Sequence, residues 1–289
     1  MQRAALLTIC FGSVLALSAC GNGAMSDAEV EQAIKDVNVI DESNLNDIML
    51  QVADPNEAVA YFQRTIAQNP ERIDLQRGLA KSLVRARKPI AAAGAWQKVT
   101  TMPGATSDDR VNYADALIRA NKWDEAEAEL DRIPPTHETF QRYRLEAMVA
   151  DSNKEWKKAD SFYEIAVGLT TTPSGTLNNW GFSKLTRGDF QGAEDLFTEA
   201  LSYDATMFTA KNNLVLARSA QRKYDLPVIQ MTQTERAQLI HTAALSAIKQ
   251  GDVNTGKALL AEAIDTHPQY FDAAVRSLEA LESGNATSG

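Results

Sequence analysis

Asn112 and Asn179 each stand two residues ahead of a small residue, Ala114 and Gly181, and Asn213 follows Asn179 by 34. A carboxamide both donates and accepts hydrogen bonds, so a spaced series of them can grip polar groups. Arg77, Lys81 and Arg85 lie at i, i+4 and i+8, a basic stripe on one helix face that suits an acidic partner segment. The rest of the chemical inventory is thin. His137, His241 and His267 are scattered, and His137-Glu138 lacks the second histidine of a zinc-binding helix. No glycine-rich phosphate loop and no G-x-S-x-G elbow occurs. The expectation is therefore no catalytic residue, no metal site, no cofactor and no small-molecule substrate. Acidic side chains read as a solvated face, and the four tryptophans read as core or seam packing.

The elements that would carry these side chains repeat. Trp123 and Ala126 in "WDEAEAEL", Trp156 and Ala159 in "WKKADSFY", and Phe190 and Ala193 in "FQGAEDLF" share one spacing. Ala58 and Ala92 extend the series backwards, at intervals of 34, 34, 33 and 34. Ala80, Ala114, Ala147 and Gly181 precede them by twelve, while Phe62, Trp96, Leu130, Tyr163 and Phe197 follow by four. Before Ala58 the corresponding place holds Asn46, so the first unit is degenerate. Small residues let two helices cross closely, and a large one fills the gap toward the next unit. Arg187-Gly188-Asp189 and Gln250-Gly251-Asp252 supply turns, and Asp54-Pro55-Asn56-Glu57 opens a helix with a cap. Nine prolines and fifteen glycines in 289 residues leave helix as the favoured state. This pattern resembles the tetratricopeptide repeat and implies an all-α solenoid of antiparallel helix pairs with a C-terminal capping helix. In that family the first helix of each unit lines a groove, and asparagines at the places of Asn112, Asn179 and Asn213 clamp a peptide backbone. Leu145 and Gly78 interrupt that ladder.

The repeat breaks where its next small residue should stand, because Pro227 occupies the place. The expected organisation is an array over 39–226, a connector over 227–233, and a final unit with a capping helix over 234–282. The tail 283–289 is expected to be disordered. Ahead of the array, 20–38 reads as a linker with a short leading helix opened by the capping box Ser26-Asp27-Ala28-Glu29.

Residues 1–19 read as a secretory leader: Arg3, an apolar run from Ala4 to Leu17, then Ser18 and Ala19. The run is too short to span a bilayer, which takes about 20 residues. Leu17-Ser18-Ala19-Cys20 resembles the lipobox of bacterial lipoproteins, which implies cleavage before Cys20 and lipid on its sulfur. Cys10 leaves with the leader, so Cys20 has no intramolecular disulfide partner. Loss of Arg3 takes the formal charge from −9 to −10, a poor footprint for nucleic acid.

The anchor, the repeats and the tail "MTQTERAQLIHTAALSAIKQGDVNTGKALLAEAIDTHPQYFDAAVRSLEAL", with "NNLVLARSAQRKYDLP" before it, resemble the TadD lipoproteins of the tight-adherence (Flp) pilus system. The resemblance implies a non-enzymatic adaptor, lipid-anchored in the outer membrane, facing the periplasm and binding protein partners such as secretin or pilin components. Repeat lipoproteins that serve outer-membrane barrel assembly or regulate cell-wall hydrolases share the same anchor and repeats, and stand as the alternative.

Overall fold

The computed structural model describes residues 45–286. The leader, Cys20 and the leading helix lie outside the described residues, as do the last three residues of the tail. The chain divides into two units at Ala53 and Asp54. The described part of the first is a helix over 45–51, after which the Val52 N–H donates to the Ile48 carbonyl at 2.9 Å.

The second unit is helical throughout, with no strand among the described residues. Its elements are α1 (Pro55–Gln68), α2 (Ile73–Arg85), α3 (Pro89–Thr101), α4 (Ser107–Arg119), α5 (Trp123–Leu130), α6 (Phe140–Ser152) and α7 (Trp156–Gly168). There follow α8 (Ser174–Thr186), α9 (Phe190–Tyr203), α10 (Phe208–Ala220), α11 (Gln233–Lys249), α12 (Val253–Thr266) and α13 (Asp272–Ala286). Each helix packs chiefly on its chain neighbours, so the core is a succession of clusters. Asp54 caps α1 through the N–H groups of Asn56 (2.8 Å) and Glu57 (3.2 Å), with Pro55 at the first helical place.

The repeat is also written in the backbone. Just after the first helix of each unit one residue takes a left-handed conformation: Arg87 (φ 56°), Asn121 (60°), Lys154 (61°), Gly188 (86°), Arg222 (61°) and Gly251 (83°). These tight reversals recur at 34, 33, 34 and 34 residues and then at 29. The short last interval marks the break: after Arg222 the chain runs without helix to Thr232, which caps α11 through the Glu235 N–H. α10 thus lacks the second helix of its pair. Leu226 and Met231 of the connector pack beside α11, and Ile229 packs beside α10.

Packing follows the small and large alternation. Ala58, Ala92, Ala126, Ala159 and Ala193 are completely buried, as are Ala80, Ala114 and Ala147. Phe62, Trp96, Leu130, Tyr163 and Phe197 are buried beside them. Phe62 lies directly on Gly78 of the next pair, and Phe197 lies on Gly181. At the end of the chain, Ala274, Leu278 and Leu281 of α13 close over Ile240, Ala244, Leu260 and Ala263. Such a terminal element keeps the last apolar face from water. The helix continues to Ala286, past the Glu282 at which the sequence suggested an end.

Candidate functional site

The first helices of successive pairs, α2, α4, α6, α8 and α10, followed by α11, stand in a row bonded edge to edge. Arg77 of α2 grips Asp109 of α4 through two bonds, 2.8 and 2.7 Å. Arg144 of α6 reaches Asp115 of α4 at 3.4 Å, and Ser183 of α8 donates to Asp151 of α6 at 2.5 Å. Asn213 of α10 donates to Asn178 of α8 at 3.0 Å, and Thr242 of α11 donates to Asn212 of α10 at 2.8 Å. This polar seam gives the exposed side of the row a fixed set of side chains.

The row carries a cavity of about 590 Å³. Met148, Asp151 and Ser152 of α6 form one wall, and Asn178, Asn179 and Phe182 of α8 form another. Thr209 and Asn213 of α10 close one end, and Trp123 and Trp156, the first residues of α5 and α7, close the other. Phe182 is 51% exposed beside the cavity. Apolar lining with a few fixed carboxamides is the usual composition of a binding pocket.

The electrostatics are set by burial and by neighbouring cations. Burial pushes the Asp151 carboxyl up, and the Ser183 hydrogen bond only partly offsets it. Asp160 is half-buried too, but bonds from Arg187 and Trp180 outweigh the burial and hold its carboxyl below the usual range. Asp109 likewise stays low because the Arg77 bond overcomes its burial. Behind the cavity, burial raises the Tyr163 phenol, whose ring stacks on Trp180 at 6.1 Å.

Two of the three expected asparagines, Asn179 and Asn213, line the cavity, and the Asn213 amide is already engaged with Asn178. Asn112 stands elsewhere, accepting from Gln141 at 3.3 Å. None of Arg77, Lys81 and Arg85 lines the cavity. Arg77 is committed within the array, to Asp109 and to the Gly104 carbonyl at 2.9 Å, while Lys81 is exposed on α2. Trp96 is core, Trp123 and Trp180 pack beside core clusters, Trp180 donates to Asp160 at 2.6 Å, and Trp123 and Trp156 also line the cavity. Asn178, Phe182, Thr209 and Met148 escaped the sequence reading. A signal existed for two of them, since Met148 and Phe182 directly follow the small residues Ala147 and Gly181.

The histidines are less scattered than their numbering suggests. His241 and His267 both meet the Phe271 ring, at 5.3 and 4.8 Å between centroids. No cluster of three metal-ligating side chains occurs among the described residues. A second depression of about 350 Å³ lies between α5, α6 and α7; in it Arg142 pairs with Glu146 at 2.7 Å and Lys158 with Glu127 at 3.9 Å.

No protein-family model and no curated protein matches the chain. Among solved structures it is similar to the APC/C hetero-tetramer Cut9–Hcn1, with a TM-score of 0.58 and 15% identity over 82% of this chain and 48% of that one. It is also similar to a tetratricopeptide repeat protein from Parabacteroides merdae, with TM-score 0.53 and 11% identity over 87% of this chain and 97% of the other. The C-terminal part of a TPR repeat-containing protein from Cytophaga hutchinsonii gives TM-score 0.52 and 15% identity over 81% and 98%. The chain spans about half the length of the Cut9–Hcn1 chain it matches. At such identities the likeness concerns architecture alone. With the helix pairs, the recurring reversals and the capping helix, it establishes an all-α tetratricopeptide-repeat solenoid.

Proposed function

We propose that the protein is a non-enzymatic adaptor that binds a segment of a protein partner along the first-helix row, tethered to the bacterial outer membrane by lipid on Cys20. The observation that carries the binding role is the cavity beside Phe182, where Trp123, Met148 and Trp156 stand among the polar groups of Asn178, Asn179 and Thr209. No helix among the described residues is long and apolar enough to cross a membrane, and the tether rests on the lipobox-like Leu17-Ser18-Ala19-Cys20. The resemblance of the tail to TadD lipoproteins supports a place in Flp pilus assembly, with secretin or pilin components as partners. Replacing Phe182 with a photo-crosslinking phenylalanine in envelopes tests the reading. Cross-links to secretin or pilin components are expected, and Phe182→Asp should abolish co-purification while helical circular dichroism is unchanged. Cross-links to barrel-assembly or hydrolase-regulating components would move the protein to the alternative machine. Retained co-purification by folded Phe182→Asp refutes the groove. Cys20→Ser should leave the protein uncleaved or soluble; unaltered membrane fractionation and processing would remove the tether.

A further inference from the structure

One carboxylate in the wall of the cavity beside Phe182 has no counter-charge. Asp151 lines the cavity from α6 and is half-buried. The Ser183 hydroxyl donates to its Oδ1 at 2.5 Å, and no described residue forms an ion pair with it. Arg187 is the cation whose field favours its ionised form, but that guanidinium is committed to Asp160 at 2.5 Å and to the Trp156 carbonyl at 3.4 Å. Burial outweighs both the Ser183 bond and the Arg187 field. A carboxylate taken out of water in this way is completed by a cation, and here the cation must come from outside the chain.

The walls around Asp151 point to the same kind of ligand. Four of the twelve residues around the cavity are aromatic, Trp123, Trp156, Tyr163 and Phe182, against 7% in the chain as a whole. The Phe182 ring is exposed, and both indoles are partly so. Aromatic faces attract cations, tryptophan most strongly. The thioether of Met148, in the same wall, adapts to an alkyl stem. A side chain with a hydrocarbon stem and a positive head can therefore satisfy both the rings and the carboxylate. Ser183 already takes one Asp151 oxygen, so the two-bond fork of a guanidinium is disfavoured. An ammonium needs only the other oxygen. The formal charge of −9 draws cations toward the chain.

We infer that the cavity is an ammonium subsite of the groove, taking a lysine side chain of the partner segment between Asp151 and the rings of Trp123, Trp156 and Phe182. The assignment rests on the groove reading above and adds the partner's chemistry.

The test uses purified full-length protein and three labelled acetyl-peptide amides, Gly-Ser-Leu-Lys-Ser-Gly and its counterparts with norleucine or arginine for lysine, read by fluorescence anisotropy. The lysine peptide should bind about tenfold tighter than the norleucine peptide at low salt, the scale of one charge-assisted hydrogen bond. Asp151→Asn should remove most of that preference. It should do so with Tm at pH 7 unchanged or raised, since it relieves a buried carboxyl, an outcome that lost folding cannot imitate. Phe182→Leu keeps an apolar wall but loses the aromatic face, and should weaken the lysine peptide about threefold while leaving the norleucine peptide unchanged. Equal binding of the lysine and norleucine peptides, binding of neither, or a preference that survives Asp151→Asn overturns the subsite. Equal losses for both peptides in Phe182→Leu overturn the part given to the rings. An arginine peptide that binds tighter than the lysine peptide overturns the lysine assignment. If photo-cross-links from position 182 to a partner persist in any of these cases, the groove stands without the subsite; if they are missing too, the groove falls with it.

Discussion

Asp151 shows how one residue can set binding surface against stability. It sits on α6 in the cavity wall, and burial raises its carboxyl above the ordinary value despite the 2.5 Å bond from Ser183. A raised folded value means the fold prefers the protonated acid. That contribution is complete below the unfolded value, near 3.9, and is lost as pH rises through the folded one. Asp151→Asn should therefore stabilise the protein at pH 7 by about 0.5–1 kcal/mol, the scale usual when functional residues are relieved. The gain should shrink to nothing as thermal melts are taken below pH 4. A variant no more stable at pH 7 would show that the Ser183 bond already compensates the burial. None of this could be read in the sequence, where Asp151 is one of many acidic residues on a helix; its neighbour Ser183 is 32 positions away.

At the scale of the elements, the crossing of α8 and α9 depends on Gly181. A methyl group there would meet the Phe197 ring at 2.7 Å, and that ring is fully buried. Gly181→Ala should cost about 2 kcal/mol through overpacking. Gly94 provides the opposite case. It lies within α3, and a methyl group there would meet nothing within 4 Å. Gly94→Ala should stabilise by about 0.5–1 kcal/mol by restricting the unfolded chain. Urea denaturation of both variants checks the pair, and equal effects in the two would refute the packing account. This element-level logic was legible beforehand, because Gly181 stands twelve before Ala193 and sixteen before Phe197 in the repeat. The loss of a helix after α10 was legible as well, since Pro227 has no N–H for a helix interior. The left-handed Arg87, Lys154 and Arg222 were not, because neither arginine nor lysine signals a positive φ as glycine does.

Across the whole molecule, each helix answers mainly to its neighbours, so the last apolar face depends on α13 alone. Removing residues 271–289 would uncover Ala244, Leu260 and Ala263 and take Phe271 away from His241 and His267. The truncated protein should bind a hydrophobic dye and melt its last pair, α11 with α12, ahead of the rest. Stability in such arrays is a sum of local terms, so α1–α9 should keep their melting range. A single unchanged transition without dye binding would show that α13 is not a cap.

What the sequence determined by itself was the pitch, the pairing of helices and the burial of its small and large residues. These depend on spacing within some 34 positions, and helical geometry converts such spacing directly into faces. It also marked Asn179 and Asn213, because their places recur with the unit. Only the tertiary structure decided which of the marked residues remain available. Arg77 was consumed by Asp109, Asn112 was drawn to Gln141, and Trp123, packed against the core as expected, lines the cavity together with Trp156. Those outcomes hinge on which side chain of the next unit comes within hydrogen-bond reach, and a repeat pattern specifies backbones far better than it specifies such partners.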